Sequence, residues 1–483
     1  MNNLSKFGHL KKEIGLLLAP VVAAVIYIIP MDLNTDAHIV FSIMGFCLVF
    51  WLTEVIPLSM TAFLGVTAAV VLGIVNVKQA FLSLGHPVIL LFLGSFLIAQ
   101  AMTKHGLDRR FALNLLSKDF FIKSPIRLII GFSLISFLLS MWVSNTATTA
   151  MLLPLILGII HMFKQKHIKD INSFAIFALL SVAYAASIGG ASTLIGTPTN
   201  LIGAGFLKDA GYDVDFLKWF LLAFPITFLS YIGMIIYMKF HIRNFKFDVD
   251  KIKHLIKEEK KHLPKISRGE KNTIFVFSLA AFLWMLPGIA NILGNQHLYK
   301  FLKSHVPEAI VAVIAAILLF LLPANKKEGT LTASDLRELD WDTILLFGGG
   351  IALGKLIIKT GLADYIGKKV SGIVSPEMII FFIFILVIAM IFLTEISSNT
   401  ATVITFAPIL MGVLKELHID LFFPIFGVII AASFAFMLPI ATPPNAIIYG
   451  SKLIPLQKMV KVGFFMNIIG SVIITIFVVI YMR

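Results

Sequence analysis

The sequence predicts an all-α polytopic membrane protein, with about eleven transmembrane helices and two re-entrant helical hairpins arranged as an inverted-topology repeat. Three observations carry that expectation. The composition is too apolar for a water-soluble chain of 483 residues, the apolar runs are continuous, and three landmarks recur in one order in the two halves.

Hydrophobic residues make up 58% of the chain and charged residues 14%, with 43 phenylalanines. Runs at 14–29, 39–51, 88–102, 216–238, 273–292, 309–322 and 464–481 are long enough, or nearly so, to cross a hydrocarbon core of about 30 Å as helices. They do not alternate polar with apolar, so helices rather than a barrel are expected. The amino terminus carries the basic flank of a signal sequence but no small-residue cleavage site, and the first helix is expected to be retained. The single cysteine, Cys47, lies in an apolar run and excludes a disulfide framework or a thiolate metal cluster; packing is its expected role.

A net charge of +14 raises the question of a nucleic-acid partner, which the placement of the charge answers. Lys and Arg concentrate at 104–123, 164–169 and 243–271, whereas 31–38 and 76–85 have almost none. By the positive-inside rule the rich segments are cytoplasmic, together with the amino terminus and its Lys6, Lys11 and Lys12. The carboxyl terminus is then expected outside.

The long polar stretch at 243–271 divides the chain and invites a search for a repeat. "ILLFLGSFLIAQAMTKHGL" (89–107) aligns with "ILLFGGGIALGKLIIKTGL" (344–362) at an offset of 255. Within a residue, the same offset carries Ser144-Asn145-Thr146-Ala147-Thr148 onto Ser398-Asn399-Thr400-Ala401-Thr402, and Pro154 onto Pro408. Further on, "IGTPTNLIGAG" (195–205) meets "IATPPNAIIYG" (440–450). If each Ser-Asn-Thr segment is the tip of a hairpin that returns to its own side, an even number of crossings separates the twin helices and they point oppositely.

The doubled segments have a chemistry suited to an anion and a small cation. The helix leaving each tip, expected from about Ala147 or Ala401, turns free N–H groups and a positive dipole end toward the tip. Asn, Ser and Thr add amide and hydroxyl donors, and their oxygens with freed carbonyls form a hard oxygen cage. In the Thr-Pro-x-Asn segments proline removes a donor and disfavours helix in the residue before it, so helices must break at Thr197 and Thr442. Carbonyls at Gly196 and Ala441 are thereby freed for sodium.

One Ser-Asn-Thr alone would be ordinary helix-packing glue, but two copies in register, each followed by its own Thr-Pro break, point to a site. "FGGGIALG" (347–354) lacks the Lys-Ser or Lys-Thr of a phosphate loop and is expected to pack helices closely. Glu395, beside the second tip, is open between supporting a site and plain structure; Glu54 is read as structural, and His86 and His161 as interfacial.

With these paired motifs, the chain resembles the divalent anion/sodium symporter family, the dicarboxylate and citrate carriers, over nearly all its length. The resemblance implies a homodimer in which a transport domain moves like an elevator against a scaffold. Scaffold would comprise 1–123 and 272–375, and transport domain 124–240 and 376–483, with 241–271 a basic linker. It implies one sodium at Ser140, Ser144, Asn145 and Gly196, and a second at Thr394, Ser397, Asn399 and Ala441. The substrate carboxylates would meet Asn145, Thr146 and Thr197 from one half and Asn399, Thr400 and Thr442 from the other. No Lys, Arg or His stands in these motifs, which favours sodium-coupled symport of C4-dicarboxylates such as succinate, fumarate or malate over sodium-independent dicarboxylate or citrate exchange. A sodium/sulfate symporter is the other rival within transport. An enzyme is disfavoured, since no His-Glu-x-x-His, cysteine pair or Ser-His-Asp grouping emerges, and no cofactor is expected. A channel would be excluded by a concentrative, saturable flux.

Overall fold

A computed structural model describes residues 2–165, 171–242 and 249–482. Parts of two basic segments read from the sequence, 166–170 and 243–248, lie outside the described residues. Among the described residues the protein is built of helices. Nine are long and apolar enough to cross a membrane, and a tenth counts if Gln296–His305 and Glu308–Leu321, bent by 56°, form one span. The protein is a multi-pass membrane protein. The expected count of about eleven departs from a count by length at the shorter apolar helices Leu58–Val71, Pro125–Ser140 and Phe422–Ala431. Pro125–Ser140, at 16 residues, reaches only about 24 Å.

The helices start and stop for local reasons. Asn34 accepts from the N–H of Ala37 at 2.8 Å ahead of Thr35–Thr53, and Ser267 and Glu270 form a capping box ahead of Arg268–Ile292. Proline occupies the first turn of Pro87–Lys104, Pro125–Ser140, Pro198–Asp209 and Pro443–Gly450, where its missing N–H costs nothing. After Pro87–Lys104 and after Trp341–Lys359 the chain turns through glycines in the left-handed region, Gly106 at φ 70° and Gly361 at φ 83°.

These two glycines begin a succession of elements that occurs twice. Leu107–Leu116, Pro125–Ser140, Asn145–Gln165, Ile171–Ala191, Pro198–Asp209 and Phe216–His241 follow the first; Leu362–Ser371, Ile379–Ile396, Asn399–Glu416, Phe422–Ala431, Pro443–Gly450 and Leu456–Met482 follow the second. Ile171–Ala191 is almost wholly buried and packs against both members of the first hairpin, against Phe216–His241 and against Pro443–Gly450 from the other half. Its Ala- and Gly-rich sequence allows this. A Cβ at Gly189 would strike the carbonyl of Phe137, and one at Gly190 the side chain of Asn145. The glycines of 347–354 likewise face neighbours, Gly348 against Leu84, Gly349 against Ala62 and Gly350 against Ile404, and pack helices as expected. Cys47 is buried between helices and is a free thiol.

Candidate functional site: two tips and two breaks around one cavity

At the first tip, helix Pro125–Ser140 ends, residues 141–144 turn, and the next helix begins at Asn145. The hydroxyl of Ser144 accepts from the N–H of Ala147 at 3.2 Å and its carbonyl from Thr148 at 3.0 Å, an N-cap that pulls Asn145 and Thr146 into the first turn. At the second tip the helix begins at Asn399, with extended Ser398 before it. Both helices thus start two residues earlier than expected from the sequence, because serine rather than alanine ends the turn. The first tip is anchored by Trp142, whose ring stacks on Phe216 at 5.8 Å and meets Phe277 edge-on at 4.9 Å.

The breaks occupy 192–197 and 432–442. Thr197 and Thr442 are extended, at φ −144° and −143°, as the following prolines require, and each precedes a fresh helix N-terminus. The Thr442 hydroxyl accepts from the N–H of Asn445 at 3.3 Å.

A cavity of about 810 Å³ brings these four features together. Ser144, Asn145, Thr146, Gly196 and Thr197 line it from the first half, and Ser398, Asn399, Thr400, Ala441 and Thr442 from the second. Of the residues singled out in the sequence, Ser140, Thr394 and Ser397 are not among its lining. Ser140 and Thr394 are fully buried, and Ser397 lies partly buried in the turn of the second tip. Four helix N-termini, two at the tips and two after the breaks, and a set of neutral amides and hydroxyls therefore surround one space, where a carboxylate finds donors with no fixed cation among the tips and breaks.

The two halves differ in how their polar atoms are satisfied. Ser140 Oγ and Asn145 Oδ1 are buried without a hydrogen-bond partner from the protein. Such orphaned oxygens are costly and suit a small cation as their missing partner. In the second half the Thr394 hydroxyl is within hydrogen-bond reach of Asn399 Oδ1 and, at 2.9 Å, of the Ala432 carbonyl.

Glu395 has a definite place in that second half. Its carboxylate accepts from three successive backbone N–H groups, Phe436 at 2.7 Å, Met437 at 2.8 Å and Leu438 at 3.0 Å, and from the Asn467 amide at 2.7 Å. A buried anion is thus held in a backbone nest, and the nest belongs to the second break. Nothing in the sequence near Glu395 marks these partners, which come from 41 or more positions away.

The cavity reaches one face of the molecule. Pro87–Lys104 runs from His86 to Lys104, and the cavity touches it at Phe92, Ser95, Phe96 and Ala99. Its mouth carries Lys12, Glu54, Asp340 and Asp342; Lys12 is the one basic residue lining it among the described residues. Glu54 is exposed there and pairs with Lys11 at 3.7 Å. On the face of His86, polar pairs join the end of Pro198–Asp209 and the segment that follows it to other helices. Lys208 pairs with Glu308 at 3.0 Å, Asp209 lies 3.4 Å from His86 and 3.2 Å from Lys355, and Asp213 pairs with Lys303 and Tyr299. Glu308 also accepts from the N–H of Phe216 at 2.8 Å. His161, on Asn145–Gln165, is exposed.

Compared with known proteins, residues 10–483 match the model of the family described as sodium:sulfate symporter transmembrane region. The chain belongs to the sodium:sulfate symporter family. Among its relatives is the sodium-dependent dicarboxylate transporter SdcS of Staphylococcus saprophyticus, 33% identical over 515 aligned positions that cover 99% of this chain and 96% of the relative. The protein of the same description from Staphylococcus aureus strain USA300 is 34% identical, covering 96% of this chain and 90% of its own length. Both tips and both breaks fall within the region that defines this symporter family.

Proposed function

We propose that the protein is a secondary transporter that carries C4-dicarboxylates such as succinate, fumarate and malate in symport with sodium. The observation that carries this reading is the single cavity lined by two Ser-Asn-Thr tips and two Thr-Pro breaks, with no fixed cation among them. Asn145, Thr146 and Thr197 would hold one carboxylate and Asn399, Thr400 and Thr442 the other. Sodium would take Ser140, Ser144, Asn145 and Gly196 in the first half, where Ser140 Oγ and Asn145 Oδ1 lack partners. A second ion would take Thr394, Ser397, Asn399 and Ala441. With no Lys, Arg or His in the tips or breaks, the charge of the substrate would be balanced by sodium and helix dipoles, which supports symport over exchange. The relatives named as sodium-dependent dicarboxylate transporters support the same substrate class over sulfate.

The reading includes movement. The recurring order of elements supports two copies in inverted orientation, with a transport domain (124–240 and 376–483) sliding against a scaffold (1–123 and 272–375) across a linker (241–271), in a homodimer with the amino terminus in the cytoplasm and the carboxyl terminus outside. The mouth at Lys12 and Asp340 then faces inward, and the ion pairs around Asp209 and Asp213 close the outer side. A tenfold sodium gradient supplies about 1.4 kcal/mol per ion, and each net charge moved adds about 2.3 kcal/mol per 100 mV. Uptake of labelled succinate into proteoliposomes tests the proposal: sodium should be required, and potassium or choline should not replace it. Equal uptake without sodium favours the exchanger, and sulfate uptake without succinate uptake favours the sulfate carrier.

A further inference from the structure

The first turn of the helix that follows each break carries an asparagine that neither the tips nor the proposed ligand sets use, and both occupy the same place. Asn200 and Asn445 are fully buried. The Asn200 amide nitrogen donates to the carbonyls of Gly190 at 3.1 Å, Ala191 at 3.2 Å and Thr193 at 2.7 Å. The Asn445 nitrogen donates to Ala435 and Leu438, each at 3.0 Å. One offset of 245 relates Gly190 to Ala435, Thr193 to Leu438 and Asn200 to Asn445. Only the NH₂ end of an amide is tolerated among carbonyl oxygens, so the orientation of both side chains is fixed by their surroundings.

The carbonyls they hold are those that shape the proposed cation sites. Thr193 O accepts from Asn200 and also from the N–H of Gly196 at 3.4 Å; Leu438 O accepts from Asn445 and also from the N–H of Ala441 at 3.2 Å. At Gly196 an added Cβ would strike the Gly190 carbonyl and come within 3.0 Å of the Ser140 carbonyl, and at Gly190 one would strike Asn145 Oδ1. Asn200 therefore fixes a carbonyl packed directly against Gly196, on a residue packed directly against Asn145. An oxygen cage for a small ion depends on such fixed distances, since an unwound backbone without restraint offers many.

We infer that Asn200 and Asn445 are positioning residues that tie down the two unwound segments and thereby set the sodium affinity of the two halves, without touching the dicarboxylate. The halves are not equivalent. In the second, Glu395 independently fixes the N–H groups of Phe436, Met437 and Leu438, whereas the corresponding stretch of the first half has no carboxylate among its hydrogen-bond partners in the described residues. The first break thus depends more on its asparagine.

This inference rests on the sodium-coupled reading above, and its test separates the two. Succinate uptake is titrated with sodium for the wild type, Asn200→Ala, Asn445→Ala and the milder Asn200→Ser and Asn445→Ser, which keep one hydroxyl donor. Sodium-dependent thermal stabilisation of the purified full chain is measured alongside. Asn200→Ser should raise the half-saturating sodium concentration by about fivefold to tenfold, the scale of one lost buried hydrogen bond, and weaken sodium stabilisation in parallel. At saturating sodium its succinate KM and maximal rate should stay within about twofold of wild type. Asn445→Ser should shift sodium dependence less. Folded serine variants with wild-type sodium dependence, or with a lower maximal rate and unchanged sodium dependence, overturn the inference while leaving symport intact. A wild type indifferent to sodium overturns both.

Discussion

Glu395 and Asn467, on two different helices, meet through a 2.7 Å hydrogen bond in the buried interior, and the same carboxylate holds three consecutive N–H groups of the second break. An anion with four donors is well satisfied, but removing it leaves all four without an acceptor. Glu395→Ala should destabilise the protein by about 3 kcal/mol or more, read as loss of monodisperse protein or a markedly lowered melting temperature in detergent. Wild-type thermal stability in Glu395→Ala contradicts a bracing role.

Asn145 and Asn399 each open a helix at a cavity-facing tip. Asn145→Ala and Asn399→Ala should each abolish succinate uptake while the protein still purifies as a folded species. Wild-type uptake in either variant refutes the site assignment at that tip.

Gly190 lies against the Asn145 amide with no room for a methyl group. Gly190→Ala should displace Asn145 and reduce uptake by about tenfold or more, an overpacking cost of about 1–3 kcal/mol delivered at the site. Unchanged uptake would show that Asn145 need not occupy its observed position.

Asp213 pairs with Lys303 and Tyr299 on the face opposite the mouth. Burial pushes its carboxyl up, but the hydrogen bonds from Lys303 and Tyr299 outweigh that and hold it below the usual carboxylate range. This contact is therefore fully present above the ordinary carboxylate pKa of about 4 and is lost only as pH falls through the lowered value. Asp213→Asn should therefore weaken the contacts of this face, the outer one in the proposed topology, at neutral pH, by no more than about 1 kcal/mol for so exposed a pair. Cysteine labelling of outer-side positions should rise modestly in this variant and should not change between pH 6 and 8 through Asp213 in the wild type. A strong fall in wild-type closure at pH 6 that Asp213→Asn removes would contradict this ionisation.

Much of the site was legible in the sequence because polar tetrads and Thr-Pro pairs stand out in apolar runs, and because their repetition is visible without coordinates. Thr197 and Thr442 were readable as breaks from proline geometry alone. What the sequence withheld depends on contacts between distant positions. The nest around Glu395, the acidic mouth at Glu54, Asp340 and Asp342, and the carbonyls gathered by Asn200 and Asn445 draw on segments with no local signature. The helices start at Asn145 and Asn399 rather than at the expected alanines because the turns end at Ser144 and Ser398, positions that hydrophobic period does not mark.

The central claim is that both tips and both breaks hold one dicarboxylate together with sodium. A density map of the protein prepared in sodium and succinate tests it most directly. The account predicts one carboxylate between Asn145, Thr146 and Thr197, the other between Asn399, Thr400 and Thr442, and an ion among the oxygens of Ser140, Asn145 and Gly196. Succinate bound outside this cavity, or bound within it identically when sodium is replaced by choline, would contradict it.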